Sequence, residues 1–274
     1  MSGAGQGAAP GAGRLAVLPP IMLAPNGARR TKADHPALPL TIAETVAAAA
    51  AGWRAGAGAL HAHLRDAAGR HWLDAGAYRE LAAELRRAVP GMALQITTEA
   101  AGRYGPEAQR ALLEADTGAD GASVALREIL SDGETAATER ALAAAAERGM
   151  AIQWILYDAG ELDRLAMLLG TGLRAPAPLQ LLFVLGSYGG EPARPEHLEP
   201  FLAALGRWRE AGLAAPDWAA CAFGPAETAC LVAAARAGGK ARVGFENNLH
   251  MADGRLAPDN AARVAELAAA LARR

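Results

Sequence analysis

The sequence predicts an α/β protein, a closed (β/α)8 TIM barrel, and three observations carry that reading. Short apolar runs alternate with longer segments rich in Ala, Leu, Arg and Glu, the order that parallel strands joined by right-handed helical crossovers require. Eight such units follow Arg14 in a chain of 274 residues, and about 250 residues is the usual size of such a barrel. No composition shift or long linker divides them, so residues 15–274 read as one domain. An open doubly wound sheet would place a glycine-rich phosphate turn after its first strand, whereas the first loop here reads Ala24-Pro25-Asn26-Gly27-Ala28-Arg29-Arg30.

Taken in order, strands are expected over 17–24, 59–64, 93–97, 122–126, 151–157, 179–186, 218–223 and 241–245. Helices are expected over 42–53, 76–89, 106–115, 134–148, 161–169, 195–212, 225–237 and 260–273. Thr41 with Glu44 three residues on is a capping box at the first helix, while Asp132 and Ser187 sit in strand-to-helix loops. Ahead of the barrel, residues 1–14 read as a disordered Gly/Ala-rich tail without the basic and apolar regions of a secretory signal. The chain is 52% hydrophobic but only 5% aromatic, so its core is aliphatic and alanine-built. Its 27 basic and 29 acidic residues nearly cancel, which gives no field for nucleic acid or an anionic membrane. The alanine runs at 46–51 and 141–146 fall far short of the roughly 20 apolar residues of a membrane span. Cys221 and Cys230 lack the spacing of a zinc or redox pair and read as reduced core residues of a cytoplasmic protein.

In such a barrel the chemistry lies at the C-terminal ends of the strands. The second strand ends Leu60-His61-Ala62-His63-Leu64-Arg65-Asp66. Residues two apart on a strand share a face, so His61 and His63 project together, and paired neutral imidazoles suit a borderline metal such as Zn2+. The eighth strand ends Arg242-Val243-Gly244-Phe245-Glu246-Asn247-Asn248. Barrel closure brings it beside the first strand and near the second, so Glu246 is placed to be a third ligand. Two histidines and one carboxylate leave an open position, as catalytic sites do. Thr97, Thr98, Arg127, Glu128, Tyr157, Asp158 and Ser187 are further polar strand ends. Arg65 and Asp66 are placed either to orient the ligands or to pair in solvent. His35, His71 and His197 read as loop or surface residues, and His250 as part of a pocket wall.

These motifs, with Pro25-Asn26-Gly27-Ala28-Arg29, the stretch from Thr31 to Pro39, Gln95-Ile96-Thr97-Thr98 and Phe183-Val184-Leu185-Gly186, resemble the β-keto acid cleavage enzyme family from about Val17 to the last helix. The resemblance implies a (β/α)8 fold in a homo-oligomer, a dimer or tetramer, holding one Zn2+ by His61, His63 and Glu246. It also implies an acyl transfer in which a β-keto acid and acetyl-CoA, the co-substrate, give acetoacetate and a new acyl-CoA.

The carry-over has departures. Arg242 matches a family arginine that works with an Asp directly after the metal-binding Glu, and that position is Asn247 here, an amide that cannot act as a base. The expectation is therefore that Asn247 orients Arg242 by a hydrogen bond while Glu128 takes the proton, or else that the chemistry is slowed or altered. Thr97 keeps the family's substrate-contacting hydroxyl, but the glycines that follow it in the family are Glu99 and Ala100 here. Arg29 falls where the aminated-substrate enzyme has an acidic residue, which points to an anionic substrate end such as that of a keto diacid, unless Glu128 neutralises it. Two other readings stay open: a metal-dependent barrel hydrolase, and a catalytically impaired relative that binds metal or keto acid.

Overall fold

A computed structural model describes residues 15–187 and 189–273; the tail expected over residues 1–14 lies outside the described residues. The chain begins with β1 (Ile21–Leu23), α1 (Ile42–Arg54) and β2 (Ala59–Ala62), then a small pair, β3 (Leu64–Arg65) and β4 (His71–Trp72). It continues through α2 (Ala75–Ala88), β5 (Ala93–Thr97), α3 (Pro106–Glu114), β6 (Gly121–Ala125), α4 (Leu126–Ile129) and α5 (Thr135–Glu147). Next come β7 (Ala151–Leu156), α6 (Ala159–Gly170) and β8 (Gln180–Leu185), then a 3-10 turn at Pro195–Leu198 and α7 (Glu199–Glu210). β9 (Asp217–Ala222), α8 (Glu227–Arg236), β10 (Lys240–Val243) and α9 (Asn260–Ala272) complete the order.

Eight parallel strands among the described residues close a barrel in the cyclic order β1, β10, β9, β8, β7, β6, β5, β2, as the strand–helix alternation predicts. Apolar residues on both faces explain why strands such as Gln-Leu-Leu-Phe-Val-Leu in β8 read as continuous runs: one face meets helices and the other fills the barrel. The outward set, including Leu60, Ala62, Leu94, Ile96, Trp154 and Phe183, packs under the helices in one large cluster. The inward set includes Met22, Ala59, Ala93, Leu182 and Ala219 and packs with Leu15 and Leu18. Small alanines at that end leave room for those two leucines, so the alanine-rich composition plugs the bottom of the barrel. The capping box is present, with the Thr41 hydroxyl accepting from the Glu44 N–H and the Glu44 carboxylate accepting from the Thr41 N–H.

Several expected elements are trimmed or divided, each for a local reason. The first strand begins at Ile21 rather than Val17, because Pro19 and Pro20 cannot donate to a ladder. The fourth ends at Ala125, where Leu126 opens a short helix, and the eighth ends at Val243 before Gly244. The helix expected from 195 to 212 starts as a 3-10 turn and becomes α-helical at Glu199. The β3–β4 pair, antiparallel with Arg65 opposite His71, was not anticipated. Cys221 and Cys230 are buried free thiols. No helix among the described residues is long and apolar enough to cross a membrane.

Candidate active site

Strand parity delivers the first two candidate ligands. Leu60 and Ala62 face the helices, so His61 and His63 between and beyond them face the barrel axis, where they are 1% and 2% exposed. Glu246 arrives by a turn that only glycine permits. Gly244 has φ +148°, and a Cβ there would lie 2.3 Å from the Ala24 carbonyl oxygen. On the opposite loop, Gly27 at φ +62° leaves the space in which the Glu246 stem lies, since a Cβ would meet Glu246 Cγ at 2.7 Å.

The result is a triangle of ligand atoms. His61 Nε2 and His63 Nε2 are 3.1 Å apart, and Glu246 Oε2 lies 3.6 Å from the first and 3.5 Å from the second. A tetrahedral ion with ligands near 2.0–2.2 Å has ligand-to-ligand edges of about 3.3 Å. The three atoms therefore match one face of such a site, and Glu246 Oε2 is buried without a hydrogen-bond partner, as an atom reserved for a cation would be.

Two of the three candidate ligands are held from behind. His61 Nδ1 donates to Gln95 Oε1 at 2.8 Å, Gln95 Nε2 donates to Gln153 Oε1 at 3.0 Å, and Gln153 Nε2 donates to the Leu181 carbonyl at 3.2 Å. Because that carbonyl can only accept, the direction of the whole relay is set, and the His61 proton is placed on Nδ1 with the Nε2 lone pair facing the triangle. Glu246 is divided in the same manner: Arg242 donates to Oε1 at 2.9 Å, leaving Oε2 for the triangle. Burial and the nearby Arg242 charge hold His61 well below the ordinary imidazole pKa, hence neutral. Burial alone would raise the Glu246 pKa, but Arg242 and the two histidines outweigh it and hold the carboxyl well below its usual range. Burial pushes the Cys221 thiol, 3.5 Å from Arg242, up to about 11.

The cleft above the triangle encloses about 810 Å³, open solvent at its mouth included. Arg29, Thr97 and Arg242 line it with the three ligands, Arg29 at the exposed rim. Thr97 Oγ1 accepts the Glu99 N–H at 3.0 Å. Arg30 also lines the cleft and donates to the Phe245 carbonyl, tying the first loop to the turn that carries Glu246.

Two expected residues lie elsewhere. Glu128 sits in α4, off the cleft lining, and its Oε2 accepts from the Ala100 N–H and from Gln109 Nε2, each at 2.9 Å. It therefore fastens the loop after β5, with its pKa raised chiefly by burial. Asn247 is fully buried behind the lining, and the hydrogen bond expected from it to Arg242 is not formed: its amide atoms and Arg242 Nε and Nη1 are all unpaired. Arg242 is oriented by Glu246 and Cys221 instead.

Other positions differ from their sequence reading. His35 and His71 are buried rather than on the surface, at 2% and 3% exposed. His35 bonds the Ala257 carbonyl and tilts against Phe245, and the His71 ring lies 5.2 Å from that of His63. His250 is exposed and off the cleft. Arg65 turns inward to bond the Gly27 carbonyl, while Asp66 pairs with Arg70. Glu99, which the sequence marks only as a departure from glycine, lies on the cleft wall; the turn residues Asp66 and Gly69 before His71 are the signal that locates the hairpin beside it.

A (β/α)8 barrel with two histidines and a carboxylate converging at the C-terminal mouth, a trio that could hold a metal ion, defines the class. Within that class the chain belongs to the beta-keto acid cleavage enzyme family, whose profile matches residues 20–274. It is 24% identical over 264 residues to a 3-oxoadipate:acetyl-CoA acetyltransferase of Cupriavidus necator, covering 91% of this chain and 87% of that one. Among solved structures it resembles a ternary complex of ObcA with a C4-CoA adduct and oxalate, at 19% identity and a TM-score of 0.68. That likeness covers 87% of this chain but 64% of the ObcA chain. A type I 3-dehydroquinate dehydratase of Clostridium difficile is similar at 12% identity and a TM-score of 0.60, covering 94% of this chain and 92% of that one. The structural likenesses show the barrel fold.

Proposed function

We propose that this protein is a Zn2+-dependent β-keto acid cleavage enzyme, which exchanges acyl groups between a β-keto acid and acetyl-CoA. The observation that carries the reading is the triangle of His61 Nε2, His63 Nε2 and Glu246 Oε2 with Arg242 on the other oxygen of the same carboxylate. Two imidazoles and a carboxylate suit Zn2+ with an open position, where the ion would supply Lewis-acid polarisation of the keto oxygen.

In the net reaction the bond between the α-carbon and the keto carbon breaks. The carboxymethyl fragment takes the acetyl group of acetyl-CoA to become acetoacetate, and the remaining acyl group passes to the CoA sulfur. The residues of the chain supply binding and orientation. Arg242 fixes the Glu246 carboxylate, and Thr97, whose oxygen already accepts the Glu99 N–H, has its own proton to donate to a substrate oxygen. Arg29 at the rim suits a substrate whose far end is a carboxylate, and the name of the Cupriavidus relative, which acts on a keto diacid, supports the same choice. Glu128 is engaged away from the cleft, so it does not offset Arg29 across the substrate site. A cytoplasmic homo-oligomer is part of this reading, carried over from the family resemblance.

The test is incubation of the purified protein with acetyl-CoA and neutral, cationic and anionic β-keto acids while acetoacetate is measured. Turnover is expected with keto diacids foremost; silence across the panel would overturn the proposal. One observation favours a second reading, a relative that binds metal and keto acid without turnover: Asn247 offers no base and no bond to Arg242. Metal and keto acid binding without acetoacetate would select it.

A further inference from the structure

The metal-site reading leaves one atom unaccounted for. If His63 presents Nε2 to the triangle, its proton resides on Nδ1, and that atom is buried with no hydrogen-bond partner. The group nearest to supplying one is Glu99, whose Oε2 is 3.7 Å away and whose side chain is 24% exposed on the cleft wall. Its backbone is fixed from two sides: the Glu99 N–H donates to Thr97 Oγ1 at 3.0 Å, and the Glu99 carbonyl accepts from His71 Nε2 at 2.9 Å. His71 stands on β4 and lays its ring against that of His63. Hairpin, loop and ligand therefore form one assembly, with the Glu99 side chain half-buried on the cleft wall beside it.

We propose that Glu99 is a positioning residue for the metal centre, its carboxylate closing on His63 Nδ1–H when Nε2 binds the ion. The inference rests on the proposed metal site and goes beyond it by assigning the second half of that site's support. A charge-assisted hydrogen bond of this kind has a length of about 2.7–2.9 Å, so the closure is a side-chain movement of about 1 Å. It fixes the tautomer and plane of His63, as carboxylates behind metal-bound histidines do. It also engages the one acidic cleft-wall residue outside the triangle among the described residues.

The test uses the full-length protein, freed of metal, and measures the Zn2+ dissociation constant by chelator competition for wild type, Glu99→Gln and Glu99→Ala. Glu99→Ala is expected to weaken Zn2+ binding by about 10–100-fold, the usual effect of losing such a partner. Glu99→Gln, which keeps an acceptor oxygen on the same stem, is expected to recover part of the loss. Equal affinity in wild type and Glu99→Ala would overturn the assignment while leaving the metal site standing, whereas a wild type that binds no Zn2+ would overturn both. A measurement on wild type alone covers the case in which the variants do not fold. Zn2+ loading should give a slowly exchanging His63 Nδ1 proton in the NMR spectrum, and rapid exchange of that proton in the loaded protein would overturn the closure.

Discussion

The two histidines stand two residues apart, one on β2 and the other just past its end, yet they are supported in opposite ways. Behind His61 lies the barrel interior, where Gln95 and Gln153, each 1% exposed, pass a hydrogen bond from β5 through β7 to the β8 backbone. Behind His63 lies the rim, where a loop carboxylate and a two-residue strand of a hairpin make the contacts. The inner support is complete without a ligand, because every amide in it is paired in one direction. The outer support is short of a hydrogen bond by about 1 Å, and it shares the cleft wall with the substrate space. A barrel can thus preorganise one ligand through its rigid interior and leave the other adjustable.

The largest effect expected from breaking this arrangement is on the pair itself. The double variant His61→Ala/His63→Ala should lose stoichiometric Zn2+ in metal analysis, and undiminished zinc would remove both histidines from the site. Next comes Gln95→Leu, which cuts the inner relay and leaves His61 Nδ1–H and Gln153 Oε1 unpaired. It should weaken Zn2+ binding by about 10–100-fold, and it should also lower unfolding stability by about 1–3 kcal/mol, since buried polar groups are stranded. The Glu99→Ala change on the outer side is expected to touch metal affinity far more than stability, so equal stability losses in the two variants would erase the distinction between a rigid and an adjustable half.

The smallest effect lies farther out on the hairpin side. Glu44 caps α1 beside the groove that Leu64, Arg65 and Trp72 line, and its hydrogen bond to Lys32, with bonds from Leu40 and Thr41, lowers its pKa from 4.5 to about 2. A depressed carboxyl pKa adds stability that is present above 4.5 and is lost as pH falls toward 2. Glu44→Gln should therefore flatten the acid limb of the stability curve in that window. Lys32 and Glu44 are both more than 40% exposed, which limits the change to less than about 1 kcal/mol. Acid titration of thermal unfolding for wild type and Glu44→Gln measures it.

The triangle itself, though not the glutamine relay behind His61, was legible from residue order. A period of two carried through β2 and one residue past it placed His61 and His63 on one face, and cyclic strand order placed Glu246 near them. These inferences depend on regular backbone, where a residue number specifies a direction. The outer half was not legible for the complementary reason. The strands Leu64–Arg65 and His71–Trp72 are too short to show a period, and the reach of Glu99 depends on where His71 holds its carbonyl. Glu128 and Asn247 illustrate the same limit. Both follow strand ends, but Glu128 enters a four-residue helix that turns it toward Ala100 and Gln109, and Asn247 follows the Gly244 turn into a buried position behind the cleft.

By itself, the sequence determined the eightfold alternation, the alanine-and-leucine core, and the residues able to meet at the barrel mouth, because hydrophobic period and strand parity are local properties of the chain. Only the tertiary structure decided which oxygen of Glu246 turns to the histidines, what stands behind each ring, and that Arg242 is oriented by Glu246 and Cys221 rather than by Asn247. Those outcomes depend on loops from distant parts of the chain converging within hydrogen-bond distance, and no local pattern encodes the sum of their paths.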